Sequence, residues 1–237
     1  MKKISERIFY VGVNDYDKVL FEGLWPLPAG VSYNSYVVAD EKVALIDTVE
    51  SGFEEEFLEN VREAAGGRAL DYLVVNHMEP DHSSLITFIL EEYPDLKILA
   101  NAKTLPMLKG YHDVPEERVQ IIAEGESVSL GSCSLRFFMA PMVHWPETMV
   151  TWLEEENTLF AGDAFGTFGT VDENVVDEEG TFGQYCDETY PLAELCGCLD
   201  QGQHGRLYAP LCHHYRNGTG HSAGGGSARF LLPCKIQ

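Results

Sequence analysis

Four side chains that can bind a metal fall within six positions, His77-Met78-Glu79-Pro80-Asp81-His82, directly after the apolar run Tyr72-Leu73-Val74-Val75. A short apolar run of this kind reads as a buried strand. A strand that ends in His, Glu, Asp and His presents those groups from a loop at its carboxyl end, where neither sheet pairing nor core packing needs them. A lone Asp-His pair would be an ordinary solvated turn. Four ligand types at adjacent and alternating positions form a candidate site, and any fold for this chain must place that loop where further ligands can reach it.

The donor set narrows the metal. Zinc sites are typically built from His and Cys with few carboxylates, whereas several carboxylates with His suit harder or redox-active ions such as iron or manganese. Negative oxygen donors stabilise the more highly charged ion, and one carboxylate can bridge two ions. Redox chemistry on iron is therefore the expectation.

The rest of the chain supplies more candidates in the same context. Pro141-Met142-Val143-His144-Trp145-Pro146-Glu147 follows the strand-like Leu135 to Ala140, and Thr158-Leu159-Phe160-Ala161-Gly162-Asp163 again takes an apolar strand to a potential ligand. Either residue alone reads equally well as a core histidine or a turn aspartate; with the first loop they form a set. Upstream, Ile4 to Val13 is strand-like, and Tyr33 to Ala39 with Val43 to Asp47 reads as a hairpin. Gly52 to Ala65 carries Phe53, Phe57 and Val61 at helical spacing, with acids near its start where the helix dipole favours them. Ser83 or Ser84 is expected to cap a helix through Leu85, Phe88 and Ile89. Lys97 to Ala100 is another strand, followed by a short helix near Leu105 to Leu108. Short strands are expected at Val119 to Ala123 and Ser127 to Leu130. His112 is expected at the surface.

With 38 acids against 16 Lys and Arg, the formal charge of −22 repels phosphate backbones and anionic lipid, so nucleic acid and membrane are poor partners. No signal-peptide-like or membrane-spanning run is present, and Cys133 is the sole cysteine before Cys186, which together point to a reducing, cytoplasmic location. From Cys186 onward the composition changes: five of six cysteines and four of eight histidines lie there, with a glycine-rich run at Gly218 to Gly226. This stretch admits three readings: a Cys/His metal tail, a disordered terminus, or a segment outside the native reading frame. The Cys and His spacing fits no strong zinc pattern, which weighs against the first, and the last, with the frame lost near residues 190 to 200, is preferred. The expected division is residues 1–190 as the metal-binding domain and 191–237 as an atypical tail.

His77-Met78-Glu79-Pro80-Asp81-His82, His144 after 61 intervening residues and Asp163 after 18 more resemble the metal-binding series of the flavodiiron proteins, or A-type flavoproteins. Ser32-Tyr33-Asn34-Ser35-Tyr36, Ala44-Leu45-Ile46-Asp47-Thr48 and Gly162-Asp163-Ala164-Phe165-Gly166 support the match, which covers roughly residues 4 to 185. The resemblance implies an α/β (α+β) metallo-β-lactamase-like αββα sandwich, here incomplete at its C-terminal end. It implies a two-iron centre reducing O2 to water or NO to N2O. His77, Glu79, His144 and Asp163 would hold one iron, with Asp163 bridging, and Asp81 and His82 would contribute to the second. Hydrolytic, zinc-binding relatives carry His where Glu79 stands, so a zinc hydrolase is the alternative that Glu79 argues against. A silent, truncated fragment is the third reading. The family's last iron-binding histidine lies about sixty residues beyond the bridging Asp; His221 is near that distance but lacks a preceding strand, and the role is not carried over. The family also implies FMN on a flavodoxin-like domain that this chain has no room for, a rubredoxin-like or flavoprotein electron donor, and a homodimer.

Overall fold

A computed structural model describes residues 1–163, 169–170 and 229–231. The chain opens with β1 (Lys2–Lys3) and β2 (Ile8–Tyr10) and then makes two short antiparallel ribbons. These are β3 (Val13–Asp15) with β6 (Val31–Tyr33), and β4 (Leu20–Phe21) with β5 (Trp25–Pro26). The expected first strand is thus split, because the chain turns between Ile4 and Ile8 and again after Tyr10. The expected hairpin follows as β7 (Tyr36–Ala39) and β8 (Val43–Ile46).

From β8 the pairing changes from antiparallel to parallel. β9 (Tyr72–Val74), β10 (Lys97–Ala100) and β11 (Val119–Ile121) each add parallel to the preceding strand, giving a seven-stranded sheet in the order β1-β2-β7-β8-β9-β10-β11. Parallel neighbours require crossovers. These are supplied by α1 (Glu54–Ala64), by α2 (Pro80–Ser83) with α3 (Ile86–Glu92), and by α4 (Thr104–His112). Three consecutive glutamates, Glu54 to Glu56, occupy the first turn of α1, as the helix dipole favours. The helix near Leu105 is longer than expected and ends at Asp113 in the left-handed conformation.

The second sheet is β12 (Ser127–Ser129), β13 (Ser134–Met139), β14 (Met149–Leu153), β15 (Thr158–Phe160) and β16 (Arg229–Leu231) in that order. β16 pairs parallel to β15, so three residues of the stretch expected to form an atypical tail run alongside this sheet. The rest of that stretch, His221 included, lies outside the described residues.

Strand alternation divides the core in two. Val37, Val43, Leu45, Leu73, Ile98 and Ala100 face the helices, where Phe57, Val61, Ile86, Ile89 and Leu108 cover them. Their neighbours Tyr36, Val38, Ala44, Ile46, Val74 and Leu99 face the second sheet, against Leu135, Phe137, Met149, Leu153 and Phe160. A central sheet covered on both faces needs apolar residues on both, which is why these strands read as continuous apolar runs. Helix, sheet and sheet therefore stack as successive layers, and the carboxyl ends of β8, β9 and β10 open toward the end of the second sheet where β13 turns back and β15 finishes. No helix among the described residues is long and apolar enough to cross a membrane.

Candidate metal centre

Each expected ligand leaves the end of a strand. Past β9 the chain passes Asn76 and presents His77 and Glu79, then enters α2, which carries Asp81 and His82. The loop from β13 to β14 carries His144, and the turn after β15 carries Asp163. Pro80 at the start of α2 forgoes only an N–H that would have no partner in the helix. The serine caps expected here do not form. Ser83 donates its hydroxyl to the backbone oxygens of Met78 and Glu79, tying down the loop itself, and Ser84 reaches Glu50.

The ligand loop is held from three directions. Asp47, at the end of β8 and left-handed at φ 55°, accepts the Asn76 N–H at 2.7 Å. Thr48 donates its backbone N–H and its hydroxyl to the His82 carbonyl. From the second sheet, Thr151 donates to Asn76 Oδ1 at 2.7 Å and the Met149 N–H to Asn76 O at 2.9 Å. Asn76 and Thr151 are fully buried, so the two sheets are joined by a dry polar link one residue before the first ligand. Asn101 and Lys103, at the entry to α4, bond the backbone oxygens of Glu147 and Pro146 and so fix the far end of the His144 loop.

Four donors converge. One atom each from His77, Glu79, His144 and Asp163 lies within 4.8 Å of every other. Glu79 Oε2 is 2.9 Å from His144 Nε2 and 3.3 Å from His77 Nε2; Asp163 Oδ2 is 3.4 Å and 3.6 Å from the same nitrogens, which are themselves 3.3 Å apart. Donors about 2.1 Å from one tetrahedral ion stand about 3.4 Å from each other. The spacing fits a cation at their centre. The other Asp163 oxygen, Oδ1, is 2.7 Å from His82 Nε2, which is 3.5 Å from Asp81 Oδ2. Asp163 therefore turns one oxygen toward each of two ligand groups. The sequence pattern proposed six ligands, and the structure places all six at this one place; the trailing histidine is outside the described residues.

Behind the donors stands a residue the sequence reading passed over. Glu147 Oε1 accepts from His77 Nδ1 at 2.9 Å and from the Met78 N–H at 3.1 Å. With its Nδ1 proton given to Glu147, His77 turns the lone pair of Nε2 toward the cluster. Trp145 packs edge-on to the His77 ring at 5.2 Å and shields it from water. Without a cation the crowded carboxylates draw protons instead. Burial opposes charge on His82 and His144, yet Asp163 and Asp81 push the first up to about 10, and Asp163 and Glu79 push the second up to about 9. Asp47, wholly buried, is pushed up to about 6 by loss of water, against the pull of His82. A metal ion would displace those protons, since it binds neutral imidazole and ionised carboxylate.

His112, expected at the surface, is partly buried, with Nδ1 3.4 Å from the Thr87 hydroxyl. Burial lowers its pKa.

Residues 31–189, two thirds of the chain, match the family model described as ODP family beta lactamase. The chain belongs to this family. Among relatives of this ODP domain, a nitric oxide reductase of Moorella thermoacetica is 39% identical over 164 residues, covering 69% of this chain and 41% of that protein. An anaerobic nitric oxide reductase flavorubredoxin of Vibrio vulnificus is 34% identical over 178 residues, covering 74% and 36%. Of solved structures, the rubredoxin oxygen:oxidoreductase of Desulfovibrio gigas superposes with a TM-score of 0.76 at 27% identity, covering 92% of this chain and 53% of that one. A flavoprotein of Thermotoga maritima gives 0.67 at 30%, covering 78% and 47%. The ODP domain thus has the metallo-β-lactamase-like fold of flavodiiron proteins, and it spans less than half the length of these curated relatives.

Proposed function

We propose that this chain is the metal-bearing part of a non-haem diiron reductase that converts NO to N2O or O2 to water. The observation that carries the reading is the division of Asp163 between two ligand groups: one carboxylate shared by two sets of His and carboxylate donors suits a pair of ions. His77, Glu79, His144 and Asp163 would hold one iron, and Asp81, His82 and Asp163 would serve the other. When bound, the pair supplies closely spaced one-electron reductants and Lewis acids for a small diatomic substrate.

The chain's own residues do the rest. Glu79, Asp81 and Asp163 bring three carboxylates to the site and favour the more oxidised ions. The ligand loop is fixed in advance by Asp47, Asn76 and Thr48, so little reorganisation accompanies binding. Trp145 covers His77 and keeps water from its ring. The full reaction needs electrons from outside, and the names of the relatives point to a flavin or a rubredoxin-like donor.

The test is anaerobic reconstitution with iron and zinc both offered, followed by elemental analysis and by NO and O2 consumption with a reduced flavin donor. About two irons per chain and donor-dependent consumption of either gas are expected. Zinc in place of iron, with ester or thioester hydrolysis, would overturn the reading.

A further inference from the structure

We infer that Glu147 is the positioning residue that holds His77 ready for a metal ion, and that it makes the His77–Glu79–His144–Asp163 position the tighter of the two. The inference rests on the two-metal reading above and adds a role outside the ligand set. Glu147 is 1% exposed, and among the described residues its ion-pair partner is His77. Burying a carboxylate without Lys or Arg is costly, so the position demands a specific return. That return is geometric. Oε1 takes hydrogen bonds from the His77 ring at 2.9 Å and from the next backbone N–H. The Thr148 hydroxyl stands farther from the same ring nitrogen, at 3.4 Å, so Glu147 is the nearer partner that sets the ring's rotation and tautomer and ties them to the path of the ligand loop. The Glu147 backbone oxygen is itself held by Asn101, so the brace stands on α4 and not on the loop alone.

Among the described residues, His82 of the second group has no such brace. Its Nδ1 has no hydrogen-bond partner among them, and the facing carboxylate, Asp47 Oδ2, is 3.9 Å away, beyond hydrogen-bond reach. Among the described residues, His77 is therefore braced and His82 is not. A braced histidine loses less freedom when it binds, and loss of such an outer partner typically lowers metal affinity by about 10–100-fold.

The test uses the full chain and Fe2+ titrated anaerobically against a competing chelator. In the wild type, two steps are expected, the first tighter. Glu147→Ala should weaken the first step by about 10–100-fold and leave the second within about threefold. Glu147→Gln, whose amide oxygen can still accept both hydrogens, should recover most of the loss. In Zn2+-loaded protein the His77 Nδ1 proton should appear as a slowly exchanging NMR signal in the wild type and Glu147→Gln, and vanish in Glu147→Ala. An unchanged first step, or a His77 proton that persists without Glu147, overturns the inference. Should Glu147→Ala fail to fold, Glu147→Leu, which fills a similar volume but offers no acceptor, takes its place with the same expectations. A wild-type chain that takes up no Fe2+ is a different failure: it overturns the two-metal reading itself.

Discussion

Replacing Thr151 by Val tests whether the two sheets are joined through Asn76. The side chains are nearly isosteric, so the change removes one donor and little else. Thr151 and Asn76 are both 0% exposed, and the hydroxyl donates to Asn76 Oδ1 at 2.7 Å. No water can replace that donor without a rearrangement, and among the described residues Asn76 Nδ2 already lacks a partner. Stranding a buried acceptor costs about 1–3 kcal/mol. For a chain of this size each kcal/mol moves Tm by about 2–4 °C, so a fall of roughly 2–12 °C is expected. Urea unfolding of metal-free protein gives the free energy directly, and Thr151→Ser, which keeps the hydroxyl, should lose only about the worth of one methyl, ~1 kcal/mol. A double-mutant cycle with Asn76→Ala isolates the pair, with a coupling of about 0.5–3 kcal/mol expected. A Val variant as stable as the wild type, or no coupling in the cycle, would refute the reasoning.

Three further outcomes are expected. His144→Ala should lower iron uptake toward one ion per chain, whereas Asp163→Ala should impair both positions, because its oxygens face both ligand groups; elemental analysis after gel filtration distinguishes them. Burial opposes charge on Asp40, yet hydrogen bonding from the Cys133 thiol, the Ser132 hydroxyl and the Cys133 N–H holds its carboxyl down at about 2. A folded pKa below the unfolded value of about 3.9 stabilises the fold above that pH and ceases to do so as pH falls through about 2, so the deficit of Asp40→Asn in urea unfolding should shrink between pH 5 and 2. Gly12→Ala should destabilise by about 1–3 kcal/mol, measured in the same way, because an added Cβ would collide with the Tyr33 carbonyl and the Tyr10 ring.

The convergence of the candidate ligands was legible in the sequence because together they form a set of residue types that turns do not otherwise collect, and because each group followed an apolar strand. The hairpin, α1 and the strands β9 and β10 were legible from periodicity for the same local reason. What stayed hidden depends on partners far along the chain. Nothing near Glu147 in sequence announces that it meets His77, 70 positions away, or that Thr151 meets Asn76 across 75. The Ser83 cap failed likewise: a serine before an apolar helical run is a good capping signal, but here its hydroxyl turns back to Met78 and Glu79. β14, Met149–Leu153, was not read at all.

His77, Glu79, Asp81 and His82 come from one sheet's loop and helix, His144 and Asp163 from the other sheet. The site exists only while the layers are shut against each other, so an ion bound there acts as a staple across the seam. By mass action, a metal at a hundred times its dissociation constant adds about 2.7 kcal/mol to whatever holds the layers together. The same coupling runs backward: any change that loosens the apolar contact between the sheets, however remote from the ligands, weakens the grip on the metal.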